Sequence, residues 1–374
     1  MNVISISTDR QIFNLETAVA KRMVDYGTLF DQLHIIVFAK TSLNLQPSQL
    51  SANVWLYPTQ STSRWNYISK AKKIAQEIIK QRSLSPQNTV VTTQDPFETG
   101  LVGRWLAKSG YKLQVQIHTD FLSPWFKKSS WLNRIRVWLS PLVLRKAKAI
   151  RVVSQRIKDS LLKKGYPSEI ISVLPIFVPL HPQHKPNLDL HIQYPQWATI
   201  ILMASRLSPE KNISQALESF RPISIEHPSV GLVIVGDGSE HVSLKQKVIK
   251  LGLKNNVVFC GWQAQTADYF TTADIFLTNS LYEGYGLTLV EAALAGKAII
   301  STDVGLIGSM LHNETSVMVV PVNNRDMLTK EIKKLVTNKE LRQTLGNQAK
   351  IDIQQGILSD KSAYLAAYKK ALEF

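Results

Sequence analysis

Two cations near residue 200 have a spacing suited to holding an anion. Arg206 and Lys211 stand in Ala204-Ser-Arg-Leu-Ser-Pro-Glu-Lys-Asn212, directly after the apolar run Thr199–Ala204. An apolar run of this kind is typical of a buried parallel strand, so both side chains are predicted to straddle the turn at its carboxyl end. Permanent cations in this arrangement can clamp a diphosphate. A surface Arg and Lys of no function would show the same spacing, so the pair alone does not identify a site.

A second group combines two carboxylates with two glycines in Glu283-Gly-Tyr-Gly-Leu-Thr-Leu-Val-Glu291. Gly284 and Gly286 let the backbone approach a ligand. A helix predicted to begin near Leu287 would point free N–H groups at a phosphate. Glu283 and Glu291 can accept hydrogen bonds from sugar hydroxyls. The alternative for Glu283 is an ordinary acidic residue that the helix dipole favours at this position.

A third feature is the glycine-rich turn Val235-Gly-Asp-Gly-Ser239, which follows an apolar run. Such turns also occur for purely steric reasons, so this signal is weak alone. The chain contains no Asp-x-Asp and no Cys/His cluster, so we expect neither a metal ion nor another cofactor. Fixed cations and helix-end N–H groups would then stabilise the anion.

Strands and helices alternate through both halves of the chain, and this pattern must position these groups. It predicts an α/β fold of two doubly wound Rossmann-like domains that face a central cleft, with ligands at the carboxyl ends of the strands. We predict a first domain over 1–180, a proline-punctuated linker over 181–197 and a second domain over 198–355. A final helix over 356–374 is predicted to pack back on the first domain.

The composition excludes several classes of protein. The 374 residues include 44 Lys+Arg and 28 Asp+Glu, a formal charge of +16, and 44% are hydrophobic. This balance excludes a disordered chain, and the single cysteine, Cys260, excludes an internal disulfide. The amino terminus resembles a first strand rather than a signal peptide. No apolar run approaches the ~20 residues that span a bilayer.

The positive charge is concentrated in residues 121–158, which hold ten basic residues and no acidic one. A helix in this segment carries Trp131, Ile135 and Trp138 on one apolar arc, and Pro141 is expected to kink or break it. A basic amphipathic helix with tryptophans is typical of a membrane-surface element. The alternative is that the apolar arc packs against the domain core. No nucleic-acid partner is expected, because no reading motif accompanies the charge.

Together the motifs resemble the nucleotide-sugar glycosyltransferases of family 4, which have the GT-B fold. The resemblance is carried by Arg206…Lys211, Glu283-x7-Glu291 and Phe259-Cys-Gly-Trp262 before Ala273-Asp274, and it is strong over 198–310. It implies a retaining transfer from a UDP- or GDP-linked sugar. It also implies that the domain over 1–180 is acceptor-binding and that the domain over 198–355 is nucleotide-sugar-binding. The histidine of Gln116-Ile-His-Thr-Asp120 matches a cleft-facing histidine of the family.

The resemblance also implies a role for each site residue. The predicted catalytic group is Arg206 and Lys211 on the diphosphate, Glu283 facing the sugar, and His118 beside it. The predicted donor-binding residues are Glu291 at the ribose, Gly286, Leu287 and Thr288 through their N–H groups, Gly236 and Asp237 in the third turn, and Gly261 and Trp262 near the base.

One departure from the family concerns the loop after the first strand. Many members have a Gly-Gly pair there, whereas this chain has Ser7-Thr-Asp-Arg-Gln-Ile-Phe13. Arg10 is therefore the hypothetical source of a phosphate or acceptor contact.

The basic segment favours a membrane-held lipid-linked saccharide or glycolipid as acceptor, in polysaccharide or cell-surface glycan synthesis, and a peripheral location on the inner face of the cell membrane. The alternatives are a soluble sugar or protein acceptor, a GT-B epimerase, and a non-catalytic nucleotide-binding module.

Overall fold

The computed structural model describes residues 1–179 and 186–374, and these form two compact units. The first unit comprises residues 1–122, 130–177 and 360–374, and the second comprises 123–129 and 178–359. Each unit is built on its own largely parallel sheet, whose strands alternate with helices along the chain. The predicted pair of Rossmann-like α/β domains is therefore confirmed.

Among the described residues, neighbouring strands run parallel in both sheets, with one exception at an edge. They are β1 (Asn2–Ser7), β2 (Gln32–Val37), β3 (Ser48–Ser51), β4 (Val54–Pro58), β5 (Thr89–Thr93), β6 (Lys112–Ile117), β7 (Ala149–Val152), β8 (Ile171–Val173), β9 (Thr199–Ala204), β10 (Val230–Val235), β11 (Val257–Gly261), β12 (Ile275–Thr278), β13 (Ala298–Thr302) and β14 (Met318–Val320). The first sheet has the order β3-β4-β2-β1-β5-β6-β7-β8, and only β3 runs antiparallel to its neighbour. The second has the order β11-β10-β9-β12-β13-β14.

The helices lie between the strands. They are α1 (Ala18–Gly27), α2 (Tyr67–Gln81), α3 (Glu98–Lys108), α4 (Pro124–Ser129), α5 (Trp131–Leu144), α6 (Gln155–Leu162), α7 (Leu190–Gln193), α8 (Ile213–Glu226), α9 (His241–Lys250), α10 (Ala267–Thr272), α11 (Leu287–Leu294), α12 (Arg325–Thr337), α13 (Lys339–Gly356) and α14 (Lys361–Lys370). No helix among the described residues combines the length and apolarity needed to cross a bilayer.

The unit boundaries differ from the predicted domains at two places. Residues 123–129 group with the second unit, where the buried Phe126 lies edge-on to Tyr282 at 5.4 Å. Residues 181–185 of the predicted linker lie outside the described residues. The part that follows is packed rather than extended, because Leu190 and Trp197 are buried. Sequence composition alone does not register such packing.

The carboxyl-terminal helix α14 belongs to the first unit. Tyr368 stacks on Tyr26 with ring centroids 3.9 Å apart, and the Tyr364 and Tyr26 hydroxyls lie 3.0 Å apart. The buried Arg151 donates to the Tyr364 hydroxyl at 3.1 Å and lies over the Tyr368 ring. This aromatic cluster fixes α14 against the first sheet.

Helix α5 passes through Pro141 without ending, so, of the expected kink or break, the break does not occur. Proline removes the N–H that would bond the carbonyl of Val137. The Ser140 hydroxyl donates to that carbonyl instead, at 2.9 Å. The carbonyl is thereby satisfied, and the helix continues to Leu144.

Candidate active site

The strand order of the second sheet reverses at β9, and a crevice is expected where the connections on the two sides of this strand separate. Strand β9 lies between β10 and β12, so the chain leaves β9 in one direction and returns on its other side. In such sheets, ligands bind at the carboxyl ends of the strands beside this switch point. Arg206 follows β9, and Glu283 follows β12. The two predicted motifs therefore meet at one edge of one sheet.

The turn after β9 is built tightly around a buried anchor. Leu207 is fully buried, while the neighbouring Arg206 is exposed. A single 3-10 turn, Pro209–Lys211, then leads to Asn212, whose φ of 49° is left-handed. Lys211 therefore ends this turn, and α8 begins two residues later. The arrangement leaves Arg206 open to solvent and directs Lys211 toward the neighbouring motif.

Lys211 and Glu283 form an ion pair in which both side chains are largely buried. The same Glu283 oxygen accepts a hydrogen bond from the Ser280 hydroxyl at 2.8 Å. A backbone hydrogen bond from Leu281 to Glu210, 2.7 Å long, joins the two loops. Ser280 was missed in the sequence because its role depends on contacts that only the folded loop creates.

Helix α11 begins as predicted at a glycine that no other residue easily replaces. Gly286 has a φ of 94°, and a Cβ there would lie 2.8 Å from a methyl of Leu289. The first N–H groups of a helix, here those of Leu287 and Thr288, have no partner within it. They and the helix dipole favour an anion.

Two further glycines allow loops to approach each other closely. A Cβ at Gly236 would lie 1.9 Å from the carbonyl oxygen of Ser205, and one at Gly305 would lie 2.3 Å from that of Tyr285. Gly236 also donates its N–H to the carbonyl of Gly261 at 2.8 Å. Gly305 was missed in the sequence, although a glycine soon after an apolar strand is a usable signal.

Asp237 and Trp262 are both exposed, but they differ in their contacts. The Asp237 carboxylate accepts from the Gly238 N–H at 2.7 Å and lies 2.9 Å from the His241 ring nitrogen. The His241 hydrogen bond lowers the pKa of Asp237 below its usual range. Trp262 is 68% exposed. Asp237 thus organises its own turn, and Trp262 offers a free aromatic face; their donor contacts stay predictions.

Glu291 lies about one turn into α11 and is largely buried. Burial raises the pKa of its carboxyl from 4.5 to about 7. Hydrogen bonds from the hydroxyls of a bound ligand would stabilise the ionised form. A buried carboxyl of this kind, close to a helix start, is typical of a ligand site.

The raised pKa of Glu291 predicts a pH-dependent stability. The folded chain keeps this proton up to about pH 7, whereas the unfolded chain loses it near pH 4.5. The contribution is therefore present below pH 4.5 and is lost as pH rises through 7. We expect Glu291→Gln to raise Tm relative to wild type by roughly 5 °C more at pH 8 than at pH 5. The exposed Glu340→Gln is the control, and equal Tm differences at both pH values would contradict the assignment.

His118 lies in the first unit, just after β6, and is held by a defined network. Its Nε2 is 3.2 Å from the Gln116 side-chain oxygen, which also accepts from Arg151 at 2.8 Å. Burial, then Arg151 and Arg22, lower the pKa of His118 to about 3. The ring is therefore neutral, with its proton on Nε2, and Nδ1 is an acceptor for a hydroxyl. A proton-transfer role near pH 7 does not fit this environment.

Arg10 follows β1, also in the first unit, within the short 3-10 turn Arg10–Phe13. Its Nε donates to the carbonyl of Phe38 at 2.9 Å. Across the part of the chain that the structure describes, the two terminal amino groups of this guanidinium have no further partner. The phosphate or acceptor contact of Arg10 stays a prediction.

The sites described here can bind an anion through cations and N–H groups. Across the described residues, no group of three or more His, Cys, Asp and Glu side chains is arranged to hold a metal ion. Lys211, Glu283, Gly236, Gly261 and the start of α11 all lie at or after the carboxyl ends of strands in the second sheet. His118 and Arg10 lie at the carboxyl ends of strands in the first sheet.

Two protein-family models match this chain. One, described as glycosyl transferases group 1, matches residues 193–352. The other, described as Glycosyltransferase Family 4, matches residues 31–181. Among curated proteins, an alpha-monoglucosyldiacylglycerol synthase from Streptococcus pneumoniae is 27% identical over 240 residues, which cover 61% of this chain and 54% of the relative. The chain spans about half the length of the curated relatives it matches.

Solved structures resemble the whole chain. A sucrose-phosphate synthase from Thermosynechococcus elongatus superposes with a TM-score of 0.80 at 17% identity, covering 99% of this chain and 98% of that one. The structure of Anabaena Alr3699/HepE in complex with UDP and glucose superposes with a TM-score of 0.75 at 19% identity. This match covers 100% of this chain and 99% of that one. At these identities the likeness establishes the fold, and the predicted GT-B class is confirmed.

Proposed function

The chain belongs to the family 4 glycosyltransferases, and we propose that it transfers a sugar from a nucleoside diphosphate sugar to an acceptor, with retention of anomeric configuration and without a metal ion. The observation that carries the proposal is the Lys211–Glu283 ion pair at the switch point of the second sheet. It joins a cation suited to the diphosphate with a carboxylate suited to the sugar.

The proposed reaction breaks the bond between the anomeric carbon and a diphosphate oxygen, which keeps the bonding electrons. The acceptor oxygen forms the new bond on the same face, and its proton passes to the departing diphosphate. Arg206, Lys211 and the N–H groups of Leu287 and Thr288 stabilise the developing negative charge. Because the cations are fixed by the protein, they reorganise little during the step.

The remaining predicted residues orient the donor. Glu291 holds the ribose hydroxyls, and the exposed Trp262 contacts the base. Glu283 faces the transferred sugar. His118 accepts a hydrogen bond from a sugar hydroxyl through Nδ1, which its neutral state supports. In this proposal these contacts position the donor and do not transfer protons.

The proposed acceptor is a membrane-held lipid-linked saccharide or glycolipid, used at the inner face of the cell membrane. Support comes from the ten basic residues between 121 and 158 and from the exposed side chains of Trp131 and Trp138. The name of the Streptococcus pneumoniae relative, a glucosyldiacylglycerol synthase, points in the same direction.

A thermal-shift screen followed by product analysis tests the reaction. A ligand that binds the native state raises Tm, so UDP, GDP and their sugars can be compared directly. We expect one nucleotide series to raise Tm, and that donor to glycosylate a lipid-linked acceptor with retained configuration by NMR. Absence of both effects contradicts the proposal. Inverted product contradicts retention, and epimerised sugar formed without acceptor indicates an epimerase.

A further inference from the structure

One face of α5 exposes an apolar stripe. Trp131, Ile135, Trp138 and Leu142 are 66%, 40%, 76% and 43% exposed. At 3.6 residues per turn these positions lie one above another along the helix. The apolar arc of Trp131, Ile135 and Trp138 expected from the sequence is thus exposed rather than packed in the core. Tryptophans on such a face are typical of the membrane–water interface.

A cavity of about 710 Å³ adjoins this stripe within the first unit. It lies between the carboxyl-terminal half of α5 and the segments that lead into β7 and β8. Val137, Pro141 and Leu144 form an apolar wall on the α5 side, and Tyr166 faces them from the segment before β8. Its volume is in the range of small-molecule sites.

Three cations also line the cavity: Arg145, Lys148 and Lys164. All three are exposed residues, and none of the lining residues is acidic. Within residues 1–179 and 186–374, no ion pair neutralises any of them. Burial raises the pKa of the Tyr166 hydroxyl and the Arg145 guanidinium opposes this, which indicates that the two side chains are close. The cavity is therefore apolar on its walls and strongly positive.

We infer that this cavity binds the headgroup of an anionic phospholipid, with the phosphate among Arg145, Lys148 and Lys164 and the glycerol against Val137 and Pro141. The acyl chains would leave beside the exposed stripe of α5. A free phosphate ion would use the cations alone and gain nothing from the apolar wall. The exposed tryptophans on the same helix favour a lipid that belongs to a bilayer.

The proposed lipid site is separate from the predicted reaction centre. Residues 145–148 precede β7 and residues 163–170 precede β8, so the cations lie toward the amino ends of these strands. His118, by contrast, follows the carboxyl end of β6. Only the purpose of lipid binding rests on the proposed function: a bound lipid would hold the first unit at the membrane where the acceptor resides. Lipid binding itself does not require the reaction.

Vesicle sedimentation tests the site with the full chain. The probes are phosphatidylcholine vesicles, with and without roughly one third phosphatidylglycerol. Wild type is expected to bind only the anionic vesicles, and a variant carrying Arg145→Gln, Lys148→Gln and Lys164→Gln is expected to bind about 100-fold more weakly. Absence of wild-type binding would overturn the inference.

A matched variant separates this site from diffuse charge. Lys70→Gln, Lys80→Gln and Lys108→Gln remove three exposed charges from other helices of the first unit. We expect the affinity of the matched variant for the anionic vesicles to fall by less than about 10-fold, because its lysines line no such cavity. An equal loss in both variants would show that only net charge matters and would overturn the site.

Soluble probes separate the lipid from a free anion. Calorimetry with short-chain phosphatidylglycerol below its micelle concentration is expected to show binding in wild type and not in the cavity variant. Inorganic phosphate binding as tightly at the same residues would overturn the lipid assignment. Hydrolysis of the donor sugar is measured on the same proteins and should stay unchanged. Loss of the proposed reaction in wild type would leave the lipid result standing, so the two failures are distinguishable.

Discussion

Replacing Lys211 by alanine is expected to lower kcat for sugar transfer by roughly 100- to 1000-fold, with a smaller change in KM for the donor. The proposed role of this ammonium group is to stabilise charge that appears on the diphosphate only as the bond breaks. Its effect should therefore concentrate in the chemical step. Steady-state kinetics of Lys211→Ala, compared with the exposed Lys330→Ala, measure the effect.

A purely structural role for Lys211 makes a different prediction. Lys211 and the Ser280 hydroxyl contact the same oxygen of Glu283. If Lys211 served only to hold Glu283, Ser280→Ala should reduce kcat by a similar factor. We expect Ser280→Ala to lower kcat by less than about 10-fold, because Lys211 would still hold Glu283 and the hydroxyl has no proposed contact with the departing diphosphate. Equal losses would contradict a direct role in charge stabilisation.

Replacing Gly236 by alanine is expected to lower transfer by at least about 100-fold and Tm by roughly 4–8 °C. Gly236 has a φ of 131°, and the added Cβ would lie 1.9 Å from the Ser205 carbonyl oxygen. The backbone must move to relieve this overlap, and Ser205 directly precedes Arg206. Activity and Tm should therefore fall together.

Gly252→Ala provides a matched control for this prediction. Gly252 also has a positive φ, 70°, but an added Cβ there meets nothing within 4 Å. Gly252→Ala should lower the free energy of unfolding by the backbone strain alone, about 1 kcal/mol, and should leave sugar transfer unchanged. Gly236→Ala behaving like Gly252→Ala in both measurements would show that close packing of the two loops is unimportant.

The sequence was sufficient to predict the two α/β units because strands with apolar runs alternate with helical segments in both halves of the chain. Strand β9, for example, is buried at every position, and its pattern is visible without a structure. The edge strand β3 was missed, since three of the four residues in Ser48-Gln-Leu-Ser51 are polar and none is buried. The sequence did not decide whether α5 continues through Pro141, because the Ser140 hydrogen bond that accommodates this proline has no signature in composition.

The sequence motifs predicted which residues form the candidate site but not which of them contact one another. Arg206, Lys211, Glu283 and Glu291 were identified from their spacing and from the family they resemble. The Lys211–Glu283 ion pair joins residues 72 positions apart, and it depends on β9 lying beside β12. The shifted pKa of Glu291 depends likewise on burial. The ion pair and the burial of Glu291 both depend on contacts that form only when the sheet is assembled.

The most direct measurement of the central claim is the turnover of a variant that carries both Arg206→Ala and Lys211→Ala. With donor and acceptor saturating and Tm checked against wild type, we predict a kcat at least about 1000-fold below wild type, since both cations stabilise the same departing diphosphate. A folded double variant with turnover within about threefold of wild type would contradict the account.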